Sequence, residues 1–334
     1  MAGEIRWGIL GTGWIAGEQT NDLLKNGFTV TAVGSRTIES AAAFASKFGI
    51  PNPHGSYEEL VADPEVDIVY VATPHPMHHH DALLALNAGK HVLIEKPITL
   101  NAAEAKELVD LAEAKHLVLL EAMWTRFLPH MIRIREIISS GLIGQVRTLI
   151  ADHTQFLPKD PQHRINNPDL GGGALLDLGI YPISLAWDVF GKPATIQANA
   201  AKTASTGVDR QTAIILGYDD GQQALLSCAL DTAGPNTATI IGTEGWIDIE
   251  SVFYTPTTFT VRDSQQKVIE TFQQPVSQRG MQFQAWEAER RIRDGLTTAS
   301  VLPPSESVQI METLDEVRRQ IGLAGQSARH DALA

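Results

Sequence analysis

The chain has 334 residues, 43% of them hydrophobic and 19% charged, a composition that suits two globular domains with ample core and excludes a disordered or fibrous protein. A formal net charge of -13 argues against non-specific binding to nucleic acid or anionic membrane, leaving only a local basic pocket open. A single cysteine, Cys228, excludes an internal disulfide and a cysteine-based zinc site. The start of the chain carries no signal-peptide core, and no uncharged apolar run approaches the ~20 residues that span a bilayer, so the cytoplasm is the expected compartment.

Residues 5–10 read as a strand that ends at a glycine, followed by a helix to about Asn26. Between them lies Gly11-Thr12-Gly13-Trp14-Ile15-Ala16, a G-x-G-x-x-A turn. Gly11 permits a sharp turn, Gly13 lets a pyrophosphate approach the backbone, and Ala16 lets the helix pack on the strand. The helix start offers unpaired N–H groups and the positive end of its dipole to phosphate. Ordinary glycine-rich turns share this pattern. The strand before it and the helix after it favour the nucleotide reading.

Phe28–Gly34 alternates like a strand, and an alanine-rich helix over Ile38–Gly49 ends on a C-cap glycine. Ser56-Tyr57-Glu58-Glu59 has capping-box spacing. Ile68–Ala72 reads as a buried parallel strand, His75–Gly89 as a helix, His91–Glu95 as a strand, Asn101–Lys115 as a helix and His116–Glu121 as a strand. This β–α alternation predicts a doubly wound parallel sheet over residues 1–122. The period then changes. Trp124–Ser140 reads as helix, Val146–Phe156 as extended, and Gly171-Gly172-Gly173 precedes an apolar helix over Ala174–Phe190. Thr195–Gln273 gives strands and turns, predicting an open, mostly antiparallel sheet. Two helices follow, near Arg279–Asp294 and Ser305–Ile321. The second domain is expected over residues 123–324, with a frayed tail over 325–334.

NAD-binding sheets of this kind carry an acidic residue after the second strand to hold the ribose 2′-hydroxyl. Here that place reads Gly34-Ser35-Arg36-Thr37, with a hydroxyl and a guanidinium suited to a 2′-phosphate. Arg36 could equally be a solvated residue at the helix entry. Lys96, in Glu95-Lys96-Pro97, falls at the C-terminal end of a parallel strand, the edge where such sheets bind ligands. Asp177 and Tyr181, four apart, interrupt an otherwise apolar helix. They are either a site or a mutually satisfied buried pair.

Together these stretches resemble the glucose–fructose oxidoreductase / inositol dehydrogenase (Gfo/Idh/MocA) family over almost the whole chain. Glu121–Phe127, Gly172–Tyr181 and Thr206-Gly207-Val208-Asp209 are similar to its dimeric dihydrodiol dehydrogenase and NADP-dependent xylose dehydrogenase branch. The resemblance implies a Rossmann domain paired with an open antiparallel-sheet domain. It implies a catalytic set of Lys96, Asp177 and Tyr181, with Lys96 near the nicotinamide, a cis Lys96–Pro97 peptide and Tyr181 as acid/base where many relatives carry histidine. It places the Thr73-Pro74-His75-Pro76-Met77-His78 turn at the nicotinamide end of the cofactor cleft, and Arg36 on the 2′-phosphate of NADP, with NAD an alternative. Trp124 and Phe156 are expected to floor a substrate pocket, and Arg126 to hydrogen-bond substrate or cofactor.

His75 and His79 have helical i, i+4 spacing, but no third ligand is evident and the family uses no metal. His79 and His80 are expected on a helix surface. The reading is therefore an NADP-preferring oxidoreductase for a sugar, polyol or cyclic trans-dihydrodiol. The alternative is a non-catalytic dinucleotide sensor of the same fold. Strands Thr212–Tyr218, Gln222–Leu230 and Thr237–Gly242 are more apolar than a half-wet sheet requires, while helices Ala174–Phe190 and Arg279–Asp294 can cover one side only. A homodimer, or dimer of dimers, packed sheet to sheet is expected, as in the family.

Overall fold

A computed structural model describes residues 3–297 and 301–323, so the expected tail over 325–334 lies outside the described residues. The chain forms two compact units, Met1–Trp124 with Gln278–Val308, and Thr125–Ser277 with Gln309–Ala334.

The first unit begins with β1 (Arg6–Leu10), α1 (Trp14–Lys25), β2 (Thr29–Gly34), α2 (Ile38–Phe48), β3 (Asn52–His54), α3 (Tyr57–Ala62) and β4 (Ile68–Val71). It continues with α4 (His78–Asn87), β5 (His91–Glu95), α5 (Ala102–Ala114) and β6 (Leu119–Ala122). The strands form one parallel sheet in the order β3-β2-β1-β4-β5-β6. Strand order reverses between β1 and β4, and the crevice at the carboxyl ends of strands there is where such sheets take ligands. Every residue of β4 is buried, as expected of a strand covered on both faces. The caps follow the sequence signals: Thr37, Ser56 and Asn101 each accept an N–H three residues on, and Gly49 ends α2 in the left-handed conformation.

The second unit carries α6 (Pro129–Ser140), β7 (Val146–Thr154), α7 (Ile180–Phe190), β8 (Thr195–Lys202), β9 (Asp209–Gly217), β10 (Gln223–Ala229) and β11 (Ala238–Gly242). It then adds β12 (Gly245–Ile249), β13 (Phe259–Asp263) and β14 (Val268–Phe272). The sheet order is β14-β13-β12-β11-β7-β10-β9-β8, antiparallel except where β7 pairs in parallel with β10. Helix α8 (Gln282–Asp294) follows, then α9 (Pro304–Gln320).

Several elements differ from the sequence reading. The expected helix from His75 starts as a 3-10 turn, His75–Met77, and becomes α-helical only at His78, so His75 and His79 do not share one α-helical face. The expected helix from Trp124 breaks at Leu128, whose extended backbone (ψ 146°) is what the following Pro129 favours. The expected helix from Ala174 begins as a π turn, Leu175–Gly179. Helix α8 is expected, from its apolar stripe alone, to cover the second sheet. It belongs to the first unit, where Glu289 accepts the indole N–H of buried Trp7 (3.0 Å) and Gln284 bonds Gln19 on α1 (2.9 Å). Its apolar stripe reads the same whichever body it covers. The second sheet packs on α7, whose residues Ile180–Trp187 are all buried, and α9 ties to α7 through Thr313 and the Trp187 indole (3.2 Å). The segment Pro168–Phe190 is long and apolar enough to cross a membrane, but most of it is packed inside the protein.

Candidate active site

In the first unit, the turn after β1 has the geometry a pyrophosphate requires. Gly11 sits at φ 104°, and a Cβ there would also lie 3.1 Å from the Ala72 carbonyl, so any side chain is strained and crowded. Gly13 is extended, exposed and faces open space, and it begins α1 with no side-chain cap. The first N–H groups of α1 and its positive dipole end are thus left to an anion. Trp14 is exposed, its ring lying 5.0 Å beneath the Arg279 guanidinium, Ile15 is half-buried, and Ala16 is buried. Thr12 and Ser35 bring their hydroxyls to 3.3 Å, joining the turn to the end of β2, where Arg36 is exposed. This set of groups fits a dinucleotide: backbone N–H groups for the pyrophosphate, and beyond β2 a hydroxyl and a cation.

The loop after β5 is held from several sides. Buried Glu95 accepts the Tyr70 hydroxyl (2.5 Å) and the Lys96 N–H (3.2 Å). The Lys96–Pro97 peptide is cis. The Ile98 N–H donates to Glu121 Oε1 (3.0 Å), whose other oxygen takes the Ser307 hydroxyl (2.7 Å). His78, fully buried, sets Nδ1 2.8 Å from the Pro97 carbonyl and Nε2 2.9 Å from the Thr73 carbonyl. A neutral ring donates to only one of these. Burial pushes the pKa down to about 4, while the two carbonyls pull toward the imidazolium. The Thr73 hydroxyl in turn donates to buried Asp81 (2.8 Å). Thr73, His78 and Pro97 therefore form one hydrogen-bonded cluster, with the His75 ring 5.5 Å from that of His78 and Pro74 exposed beside them. His79 bonds Glu107 (2.9 Å), and exposed His80 bonds Asp81 (3.0 Å). Among the described residues, no three His, Cys, Asp or Glu side chains gather as metal ligands would.

In the second unit, Tyr181 is the second residue of α7, just after the π turn, an irregularity that recurs at functional sites. Its buried ring packs against Tyr254 (centroids 4.9 Å) and His153 (5.1 Å). His153 donates from Nδ1 to the Leu178 carbonyl (3.0 Å), and its Nε2 accepts from the Gln155 amide (3.0 Å). Gln155 also reaches the Tyr254 hydroxyl (3.3 Å). Buried Asp177 pairs with the half-exposed Arg164 guanidinium (3.3 Å). The sequence reading missed His153, Tyr254 and Arg164. The inward alternation of β7 singles out His153, while Tyr254 lies in irregular chain and Arg164 in a single 3-10 turn, neither with a periodic signal.

The expected substrate residues are placed differently from one another. Trp124, in the first unit, is buried with Arg279 5.5 Å from its ring. Phe156 is 69% exposed, under the Lys159 ammonium (5.1 Å). Arg126 is buried in its own ion-pair network. It donates to the Ser184 carbonyl (2.9 Å) and pairs with Asp188 on α7 (3.2 Å), which also takes Arg135 (2.8 Å). Through these bonds its guanidinium braces α7.

Comparison with known proteins agrees with this architecture. The family model described as "Oxidoreductase family, NAD-binding Rossmann fold" matches residues 5–123, and the "GFO/IDH/MocA C-terminal domain" matches residues 131–248. The chain is 37% identical to trans-1,2-dihydrobenzene-1,2-diol dehydrogenase from Danio rerio, covering 96% of this chain and 97% of that one. It is 38% identical to D-xylose 1-dehydrogenase (NADP(+)) from Hypocrea jecorina, covering 96% and 92%. A 3-ketoreductase from Actinomadura kijaniata, solved in complex with NADP and TDP-benzene, superposes with a TM-score of 0.84 at 28% identity over 96% of this chain and 98% of that one. From the glycine turn, the 3-2-1-4-5-6 sheet and this full-length likeness, the chain belongs to the Gfo/Idh/MocA family of oxidoreductases.

Proposed function

We propose that the protein is an NADP-preferring dehydrogenase or reductase acting on a CH–OH carbon of a sugar, polyol or cyclic trans-dihydrodiol. The observation that carries this reading is likeness across 96% of the chain both to dihydrodiol dehydrogenases and to an NADP-dependent xylose dehydrogenase, two enzymes that oxidise a carbinol. Dinucleotide binding is assigned to residues 1–122, and substrate binding and dimerisation to residues 123–324. Gly11, Thr12, Gly13, Trp14 and Ile15 take the pyrophosphate, and Ser35 and Arg36 the 2′-phosphate. Thr73, Pro74, His75, His78, Glu95, Lys96 and Pro97 surround the nicotinamide end.

When bound, the cofactor supplies the hydride exchange at the carbinol carbon. Tyr181 takes the hydroxyl proton on oxidation and returns it on reduction. A phenol of pKa ~10 is a poor base near neutrality. The Lys96 ammonium is assigned to stabilise the phenolate and lower that value. Asp177, supported by Arg164, orients these groups. Trp124 and Phe156 supply aromatic surface to the substrate. The protein works in the cytoplasm as a homodimer or dimer of dimers, joined through the open face of its second sheet. On that face Ile150, Leu225 and Ile215 are exposed and adjacent in register.

A substrate panel followed at the nicotinamide absorbance tests this reading. It should include aldoses with D-xylose, inositols, deoxy-sugars and trans-dihydrodiols, each with NADP and with NAD. Turnover of at least one, faster with NADP, is expected. Tight NADP binding without turnover of any would overturn it in favour of a sensor.

A further inference from the structure

The π turn that precedes Tyr181 is held from outside the helix, and its strongest anchor is a buried carboxylate. Asp209, the first residue of β9, is 2% exposed. Its Oδ2 accepts the Leu175 N–H (2.7 Å) and the Thr212 hydroxyl (2.9 Å). Leu175 is the first residue of the turn, and its N–H is one that the turn cannot satisfy internally. The other carboxylate oxygen fills the space that Gly173 leaves open: a Cβ there would lie 2.1 Å from Oδ1, and Gly173 sits at φ 124°. The opposite end of the turn is tied by the His153 Nδ1–H to the Leu178 carbonyl (3.0 Å).

We propose that Asp209 is a positioning residue for the reaction: by gripping Leu175 and seating against Gly173, it fixes the phase of the turn from which Asp177 and Tyr181 project. A π turn packs one more residue per turn than an α-helix, so a slip to regular α-helix would rotate Tyr181 by roughly 100° about the helix axis. A buried hydrogen-bonded carboxylate at the first N–H opposes that slip, because releasing Leu175 would leave that N–H without its acceptor and the buried carboxylate with one donor fewer. Asp209 costs something to keep. Burial pushes its pKa up to about 6, so near neutrality it is a charge retained against desolvation and stabilised by its donors.

The inference rests on Tyr181 as the acid/base, and the test separates the two. Asp209→Leu removes the acceptor at similar volume, whereas Asp209→Asn keeps an oxygen for Leu175 and Thr212. We expect Asp209→Leu to lower kcat at least tenfold with NADP affinity within twofold, and to speed hydrogen exchange over residues 174–182. Asp209→Asn should restore kcat to within about threefold and exchange to the wild-type pattern. Wild-type exchange over 174–182 in Asp209→Leu, or unchanged kcat, overturns the proposal, as does failure of Asp209→Asn to restore either. If Asp209→Leu does not fold, the unmodified enzyme decides: the Leu175 amide must be strongly protected, and an unprotected one overturns the anchor. Tyr181→Phe is assayed alongside. Full activity there removes the acid/base reading, and exchange alone then judges the anchor.

Discussion

Thr12 and Ser35 meet hydroxyl to hydroxyl at 3.3 Å, so the glycine turn after β1 and the end of β2 form one polar surface with Arg36 exposed beside it. No carboxylate stands at the end of β2, where an NAD-selective sheet holds the ribose. Arg36→Ala is expected to weaken NADP by about 1.5–3 kcal/mol, roughly ten- to a hundredfold, and to leave NAD nearly unchanged. Fluorescence titration with both cofactors checks this, and equal losses would remove the 2′-phosphate role.

Tyr181→Phe keeps the ring against His153 and Tyr254 and removes only the hydroxyl. A kcat loss on the order of 10²–10⁴-fold is expected, with NADP affinity nearly intact. On the proposed role of Lys96, Lys96→Met should also lower kcat and move the pH–rate profile upward, as expected of a phenol deprived of a stabilising cation. In the double variant the losses should not add, as the proposed mechanism has the two groups act as a unit. More than about a third of wild-type kcat in Tyr181→Phe would refute the assignment, being far less than an acid–base group contributes.

The row Ile150, Leu225, Ile215 on the uncovered face of the second sheet predicts a sheet-to-sheet dimer. Light scattering at micromolar concentration should give twice or four times the 36.3 kDa chain mass. Leu225→Lys, in the middle of the row, should shift the protein toward monomer, because an unpaired cation is costly to bury. A monomeric wild type would sink the interface.

Two buried groups give opposite pH dependences. Burial lowers the His130 pKa from 6.5 to about 4, so the unfolded chain binds more protons between these values and stability is lost as pH falls through that window. Burial raises Asp209 from 3.8 to about 6, so there the folded protein binds more protons and stability is lost as pH rises from about 4 to about 6. Each shift corresponds to about 3 kcal/mol. Relative to wild type, Asp209→Asn should gain stability as pH rises from 4 to 7, and His130→Phe should gain as it falls. Urea midpoints at the two pH values measure both, and differences independent of pH would contradict the burial argument.

The sequence by itself determined the first unit almost completely, because each signal there is local. A glycine must sit at φ 104° in Gly11, buried parallel strands such as β4 need unbroken apolar runs, and Thr37, Ser56 and Asn101 carry their helix starts in their own side chains. The strands of the second unit were legible for the same reason, but the parallel pairing of β7 with β10 was not, since a strand's alternation says which face is wet and not which neighbour it bonds. Only the tertiary structure decided that α8 serves the first unit, that Arg126 pairs with Asp188, and that His153 and Tyr254 pack against Tyr181. It also decided that Ala174–Phe190 starts as a π turn. Helical periodicity in Leu175–Tyr181 fits either winding, and the choice is made by partners distant in sequence: Asp209 at one end of the turn and His153 at the other.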